Sequence, residues 1–223
     1  MLDARGKMIV YGAGGHAKVV LDILEQEGRY QIVGLVDDDP QREGGEFFGY
    51  RILGCGEALE RLRITGVEGA IIAIGDNETR GRLAHQVEAI GLRLITAVHP
   101  AAQISRGVGI GAGSAVMAGA VISAGSVIGE NTIVNTAATV DHDCHLGSCV
   151  HLSPGVHVAG GVQIGHHAHL GIGAVVLPGL SIGHHATIGA GSVVSRDLPP
   201  GVVAAGVPAR VIRKYGEGGN CLS

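Results

Sequence analysis

Apolar residues follow two different rhythms along this chain. In the first hundred residues they come as short runs: Met8 to Tyr11, Ile32 to Val36, and GAIIAIG at 69–75. Each run is strand-length and bounded by glycine or aspartate, as buried strands are. Between them lie segments with mixed apolar and polar positions. One follows the glycine-rich turn Gly12, Gly14, Gly15 and reaches Glu27; another is DNETRGRLAHQVEAIG at 76–91. LRLITAVHP (92–100) reads as a further strand and its exit. Alternating strand and helix predicts a small, Rossmann-like, mostly parallel α/β domain over residues 1–100.

From Ile104 the rhythm changes. Every sixth residue through Val194 is Ile, Val or Leu, sixteen positions in a row, and Pro200 ends the series. Four residues after each aliphatic stands a small or aliphatic residue, such as Ala120, Ser126, Thr132, Ala138, Ala168 and Ala174. Glycine often follows the aliphatic directly, as at Gly111, Gly165 and Gly189. A period of six fits neither an α-helix nor strand alternation, but it fits a hexapeptide solenoid. Three hexads make one triangular coil of about 18 residues. Residues 101–223 are therefore expected to form a parallel β-helix of a little over five coils with a C-terminal tail, the aliphatics pointing inward.

Composition supports this division. Glycine contributes 39 residues and tryptophan none, with aromatics at 3%, which suits a repeated scaffold of turns and small aliphatics. Charged residues are 16% and the net charge is -4, so no basic face for nucleic acid is expected. The four cysteines (Cys55, Cys144, Cys149, Cys221) show no CxxC pairing or zinc spacing. No apolar run reaches the roughly 18 residues of a membrane span. A soluble protein of a reducing cytoplasm is expected.

The hexad run and the ending VAAGVPARVIRK (203–214) resemble the left-handed β-helix acyltransferases. GAGGHAKVV (12–20), the DDD after the second strand, IGDNETR (74–80) and the VDHD segment narrow the resemblance. Together they are similar to the sugar O/N-acyltransferase subfamily, which includes N-acetyltransferases of nucleotide-linked 4-amino-sugars and the sialic acid O-acetyltransferase group. The resemblance implies a homotrimer with acetyl-CoA between neighbouring β-helices and the nucleotide-sugar held by the α/β domain. It also implies a histidine that deprotonates the attacking amine.

Nine of the twelve histidines lie between 142 and 185. Positions 18 apart stack on successive coils, which pairs His151 with His169, His166 with His184 and His167 with His185. The last four follow Ile164-Gly165 and Ile182-Gly183 and read as solvent-facing turn residues; His145 and His157 read as outward polar positions. His142 stands between Asp141 and Asp143. A carboxylate orients an imidazole and makes it more basic, which suits a general base; an exposed polar corner is the other reading from spacing alone. The resemblance favours catalysis and gives the orienting role to Asp143. It also implies that His151 lies near the thioester carbonyl, that the Gly160 N–H meets the oxyanion, and that Asn135 belongs to the acetyl-CoA site. His151 is half a coil from His142, so the two are expected on different sides of one prism, able to share a cleft only across a subunit boundary. A related β-helix class, the gamma-type carbonic anhydrases, binds zinc through an H-x4-H pair; no two histidines between 142 and 185 have that spacing, and no metal is expected.

The glycine loop before the first helix reads as a nucleotide site or as a plain strand–helix turn. The domain is too short for the two halves of a full dinucleotide site, and one half suffices for a nucleotide-sugar. Gly12, Gly14, His16, Asp37 and Asp38 are the expected substrate-binding residues. Arg210, Arg213 and Lys214 read either as partners of CoA phosphates or as a solvated basic tail. The expected activity is acetyl-CoA-dependent N-acetylation of a UDP- or GDP-linked 4-amino-sugar by direct transfer, with O-acetylation of a sugar hydroxyl as the alternative.

Overall fold

The structure, a computed structural model, describes residues 6–214. Cys221 and the last nine residues of the expected tail lie outside the described residues. Two compact units divide the chain: one runs to Pro100 and takes in Ala112–Ala115, and the other begins at Ala101.

The first unit is built on a four-stranded parallel sheet in the order β2-β1-β5-β6. Its strands are β1 (Gly6–Tyr11), β2 (Tyr30–Val36), β5 (Gly69–Ile72) and β6 (Arg93–Leu94). Helix α1 (Gly15–Glu27) buries Ala17, Val20, Leu21 and Leu24, the i, i+3, i+4, i+7 stripe of an amphipathic helix. It ends at Gly28, whose φ of 61° and N–H to Leu24 close the last turn. Helix α3 (Asn77–Ala89) starts at Asp76, whose side chain caps the Thr79 N–H. Ile9, Tyr11, Val36, Ile72, Leu83 and Val87 meet in one core. The strand expected over 69–75 stops at Ile72, paired with the last residue of β1, and beyond it the buried Arg80 takes the carbonyls of Ile74 and Gly75 at 3.1 and 2.9 Å. Residues 40–64, where the apolar pattern predicts no element, form a hairpin of β3 (Glu46–Phe47) and β4 (Tyr50–Arg51) and the helix α2 (Ala58–Ile64). Elements of two and seven residues are too short to carry a recognisable period.

The second unit is a β-solenoid of about six turns, consistent with a left-handed β-helix. Two-residue rungs recur every six residues and stack, in parallel, on rungs eighteen residues away, as Val121–Ile122 does on Thr139–Val140. The predicted aliphatics are the second residue of each rung. Val116, Val134, Leu152, Leu170 and Ile188 fill one face, Ile122 to Val194 a second and Ile128 to Ile182 a third, all buried; Ile104 and Ile110, in the first coil, are half-buried. Ala120, Ser126, Thr132, Ala138, Ala168 and Ala174 are buried as the pattern required. The third residue after each inward aliphatic, from Gly107 to Gly191, has φ between 52° and 79°. This is the left-handed backbone that turns each corner. Most of these residues are glycine, but Asn131, Ala137, Asp143, Cys149, His167 and His185 also adopt it. The last rungs give way to Val202–Ala205 and the antiparallel Arg210–Lys214, which carries Arg210, Arg213 and Lys214.

Candidate active site

The corner after the rung Thr139–Val140 carries Asp141, His142 and Asp143. Asp143 sits in the left-handed column at φ 59°, between Gly125 and Gly161 of the neighbouring coils. That backbone turns its carboxylate toward the preceding side chain, and Asp143 Oδ2 lies 2.8 Å from His142 Nδ1. An ionised carboxylate only accepts, so Nδ1 carries the hydrogen and Nε2 is left with its lone pair. Asp141 accepts the His142 backbone N–H at 2.8 Å. The hydrogen bond to Asp143 raises the His142 pKa above the ordinary 6.5, the Asp141 charge adding to it and slight desolvation opposing. Both side chains are open to solvent, at 64% and 71%. Gly160, one coil on, lies against the imidazole: a Cβ there would stand 2.7 Å from both Cε1 and Nε2. The Gly160 carbonyl accepts from Gly179, while no backbone carbonyl of the described residues accepts its N–H.

Asn135 and His151 meet on the first face, Nδ2 to Nε2 at 3.2 Å, and His151 stacks on His169 with ring centroids 4.9 Å apart. Two groups therefore form within one chain: His142 with Asp143 and Gly160 at a corner, and Asn135 with His151 on another side. Their separation is the one expected from half a coil. A groove of about 380 Å³ runs along the second face, lined by Ser123, Thr139, Asp141, His157, Ala159 and Leu177, and Asp141 carries it to the residue beside His142. His157, an outward polar position by its place in the hexad, faces this groove and bonds Thr139 Oγ1 at 2.9 Å. The predicted stacks of His166 on His184 and His167 on His185 are present. His166 and His184 also accept backbone N–H groups from the preceding coil, those of Ser148 and His166. Cys144 is buried, its Sγ donating to Ala159 at 3.2 Å, and burial raises its pKa, which disfavours a nucleophilic thiolate.

In the first unit the glycine loop is wired at Ala13. Asp37 Oδ2 accepts its N–H at 2.6 Å, and Arg42 donates to its carbonyl. Arg42 also approaches Asp37 Oδ2 (3.7 Å) and Asp39 Oδ2 (3.1 Å). Asp38 Oδ1 accepts the Tyr11 hydroxyl and the Gly56 N–H at 2.7 and 2.9 Å. Asp37 therefore orders the glycine loop itself, while Asp38 ties the end of β1 to the segment at Gly56. Gly12 is held by a close approach, since at φ 109° a Cβ would lie 3.0 Å from Ala73 O and Ile74 Cγ1. Gly14 and Gly15 face open space at the start of α1, which has neither a side-chain cap nor an acidic residue in its first turn. His16, one residue into the helix, is pushed down to about 4 by burial, with the Arg80 cation adding, and is neutral. Arg42 and Arg80 escaped the sequence reading because single arginines outside a glycine motif give no periodic signal.

Comparison with known proteins adds to this geometry. Residues 7–87 match the PglD N-terminal domain model, and residues 161–196 match the bacterial transferase hexapeptide (six repeats) model. UDP-N-acetylbacillosamine N-acetyltransferase of Bacillus subtilis (strain 168) is 37% identical over 107 residues, which are 47% of this chain and 48% of that protein. That match spans about half the length of the curated relative. A histidine variant of perosamine N-acetyltransferase from Caulobacter crescentus, solved with CoA and GDP-perosamine, superposes with a TM-score of 0.90 at 44% identity, covering 95% of this chain and 99% of that one. The acetyltransferase domain of PglB from Neisseria gonorrhoeae FA1090, solved with acetyl coenzyme A, gives a TM-score of 0.87 at 39% identity, with coverage of 94% and 100%.

Proposed function

The chain belongs to the left-handed β-helix N-acetyltransferases of nucleotide-linked amino-sugars, and from that membership we propose that it acetylates the amino group of a UDP- or GDP-linked 4-amino-sugar with acetyl-CoA. His142 is the general base. Its Nε2 lone pair takes the proton from the amine as the nitrogen attacks the thioester carbonyl, and the imidazolium that forms is stabilised by Asp143 and Asp141. The Gly160 N–H stabilises the tetrahedral oxyanion, with His151 of a neighbouring copy, held by Asn135, completing the thioester site. CoA thiolate then leaves, and no acetyl-enzyme forms. The nucleotide diphosphate binds at the open N-terminus of α1, where the N–H groups at Gly14 and Gly15 and the helix dipole favour anions. Neutral His16 contributes a hydrogen bond there, and Asp37, which holds the loop, faces the ribose together with Asp38. The working form is a cytoplasmic homotrimer.

The observation that carries this reading is the 2.8 Å bond between His142 and Asp143 on an open corner with Gly160 against the ring. His142→Asn should lower kcat by about two or more orders of magnitude, the usual contribution of a general base. Near wild-type kcat at neutral pH in a folded variant would overturn the assignment. Running the same assay with UDP- and GDP-linked 4-amino-sugars beside free sialic acid identifies the acceptor; turnover of the hydroxyl acceptor alone would replace N- by O-acetylation.

A further inference from the structure

The Asp143 carboxylate has two oxygens, and only Oδ2 faces His142. Oδ1 lies where a side chain at position 125, one coil earlier, would begin. An ideal Cβ on Gly125 would stand 2.5 Å from Oδ1, 3.5 Å from Cγ and 3.6 Å from the Asp143 nitrogen. Ordinary carbon contacts lie near 3.5–4.0 Å, so something must move. The backbone here is pinned: Asp143 N–H donates to Ala124 O at 3.1 Å, and Gly161 N–H donates to His142 O at 2.9 Å. The group with freedom to move is the carboxylate, and moving it takes Oδ2 off the imidazole.

We propose that Gly125 is a positioning residue for the His142–Asp143 pair, its missing side chain forming the berth that holds Asp143 Oδ1 and aims Oδ2 at His142 Nδ1. This deepens the reading of His142 as the base and rests on it. Backbone conformation alone does not single out Gly125. Gly107, Gly125, Asp143, Gly161 and Gly179 form one corner column with φ of 79°, 76°, 59°, 71° and 70°. At Gly107 an added Cβ meets nothing within 4 Å. The fold also accepts alanine and asparagine in this conformation at Ala137 and Asn131. Gly125→Ala and Gly107→Ala therefore carry the same backbone cost and differ in the berth.

The two variants are compared in the full chain, with Gly125→Asn and Gly107→Asn as a second pair, since asparagine enters the left-handed region more readily. The readouts are kcat, KM for acetyl-CoA, the acid limb of the pH profile, and the NMR titration of the His142 ring, assigned by its loss in His142→Gln. The Gly125 variants should lose about tenfold or more in kcat with little change in KM. Their acid limb and His142 titration should move to lower pH, toward those of Asp143→Asn, while the Gly107 variants stay at wild type. Equal effects at 107 and 125, or an unmoved His142 titration in the Gly125 variants, would overturn the proposal. If His142→Asn keeps its activity, the general-base reading falls, and the ring titration alone still decides whether Gly125 positions the pair.

Discussion

His142 and His16 show how neighbours set one side chain in opposite directions. At His142 the Asp143 hydrogen bond favours the protonated ring, so the pKa is raised. Activity needs the neutral ring, so the rate rises with pH through that raised value. Asp143→Asn removes the charge that raises it, and the acid limb of kcat/KM should move to lower pH while kcat falls; a limb that stays in place would deny the link. Stability runs the other way, because the raised group favours folding below the unfolded value of 6.5 and loses that contribution as pH rises through the folded one. His16 is the opposite case, lowered from 6.5 to about 4 by burial. Its contribution is present above 6.5 and is lost as pH falls toward 4, by at most about 3 kcal/mol. Urea unfolding of His16→Gln between pH 7 and pH 4 should show a flatter pH dependence than wild type. Of the expected catalytic residues, the Asp–His–Asp string was legible because charge flanking a histidine is visible in one dimension. Gly125 was not, because its proposed role depends on what stacks eighteen positions away, in a corner column whose other members besides Asp143 are also glycine.

Among the elements, the rungs were the most legible, since a single branched aliphatic per hexad fixes the register of every later one. The corners were less so. A left-handed residue every sixth position is hidden when Asp143, Cys149, His167 or His185 replaces glycine. The glycine that follows an inward aliphatic has a separate cause. At Gly147 a Cβ would stand 2.6 Å from His166 N and 3.0 Å from the Gly165 carbonyl carbon, so the close stacking of two coils excludes it. Both neighbours are backbone, and the coils themselves would have to part. Gly147→Ala should cost about 1–3 kcal/mol, the range for overpacking, and lower Tm, whereas Gly109→Ala, outside the left-handed columns and with only Val127 Cγ1 at 4.0 Å, should cost less. Equal melting temperatures would show that the stacked coils yield. In the first unit, α2 and the β3–β4 hairpin were illegible for the opposite reason: they are too short to repeat anything.

For the whole molecule, the proposed trimer makes a prediction that no single chain can meet. His142 and the Asn135–His151 pair occupy different sides of one β-helix, so in the proposed trimer a complete site draws on two copies. His142→Asn and His151→Ala, each impaired alone, should recover activity when co-expressed, because every mixed trimer contains one boundary with both native histidines. No recovery in verified mixed trimers would place the site within one chain. The eighteen-residue stacking register has a further consequence for how such a chain tolerates changes of length. Gly125, His142, Asp143 and Gly160 occupy consecutive coils, so one residue inserted among them shifts every later position off its column. A whole coil duplicated beyond Val194 disturbs none of these neighbours. Length in this scaffold is free to drift in units of eighteen at its far end, while the stretch from 125 to 160 admits no frame change at all.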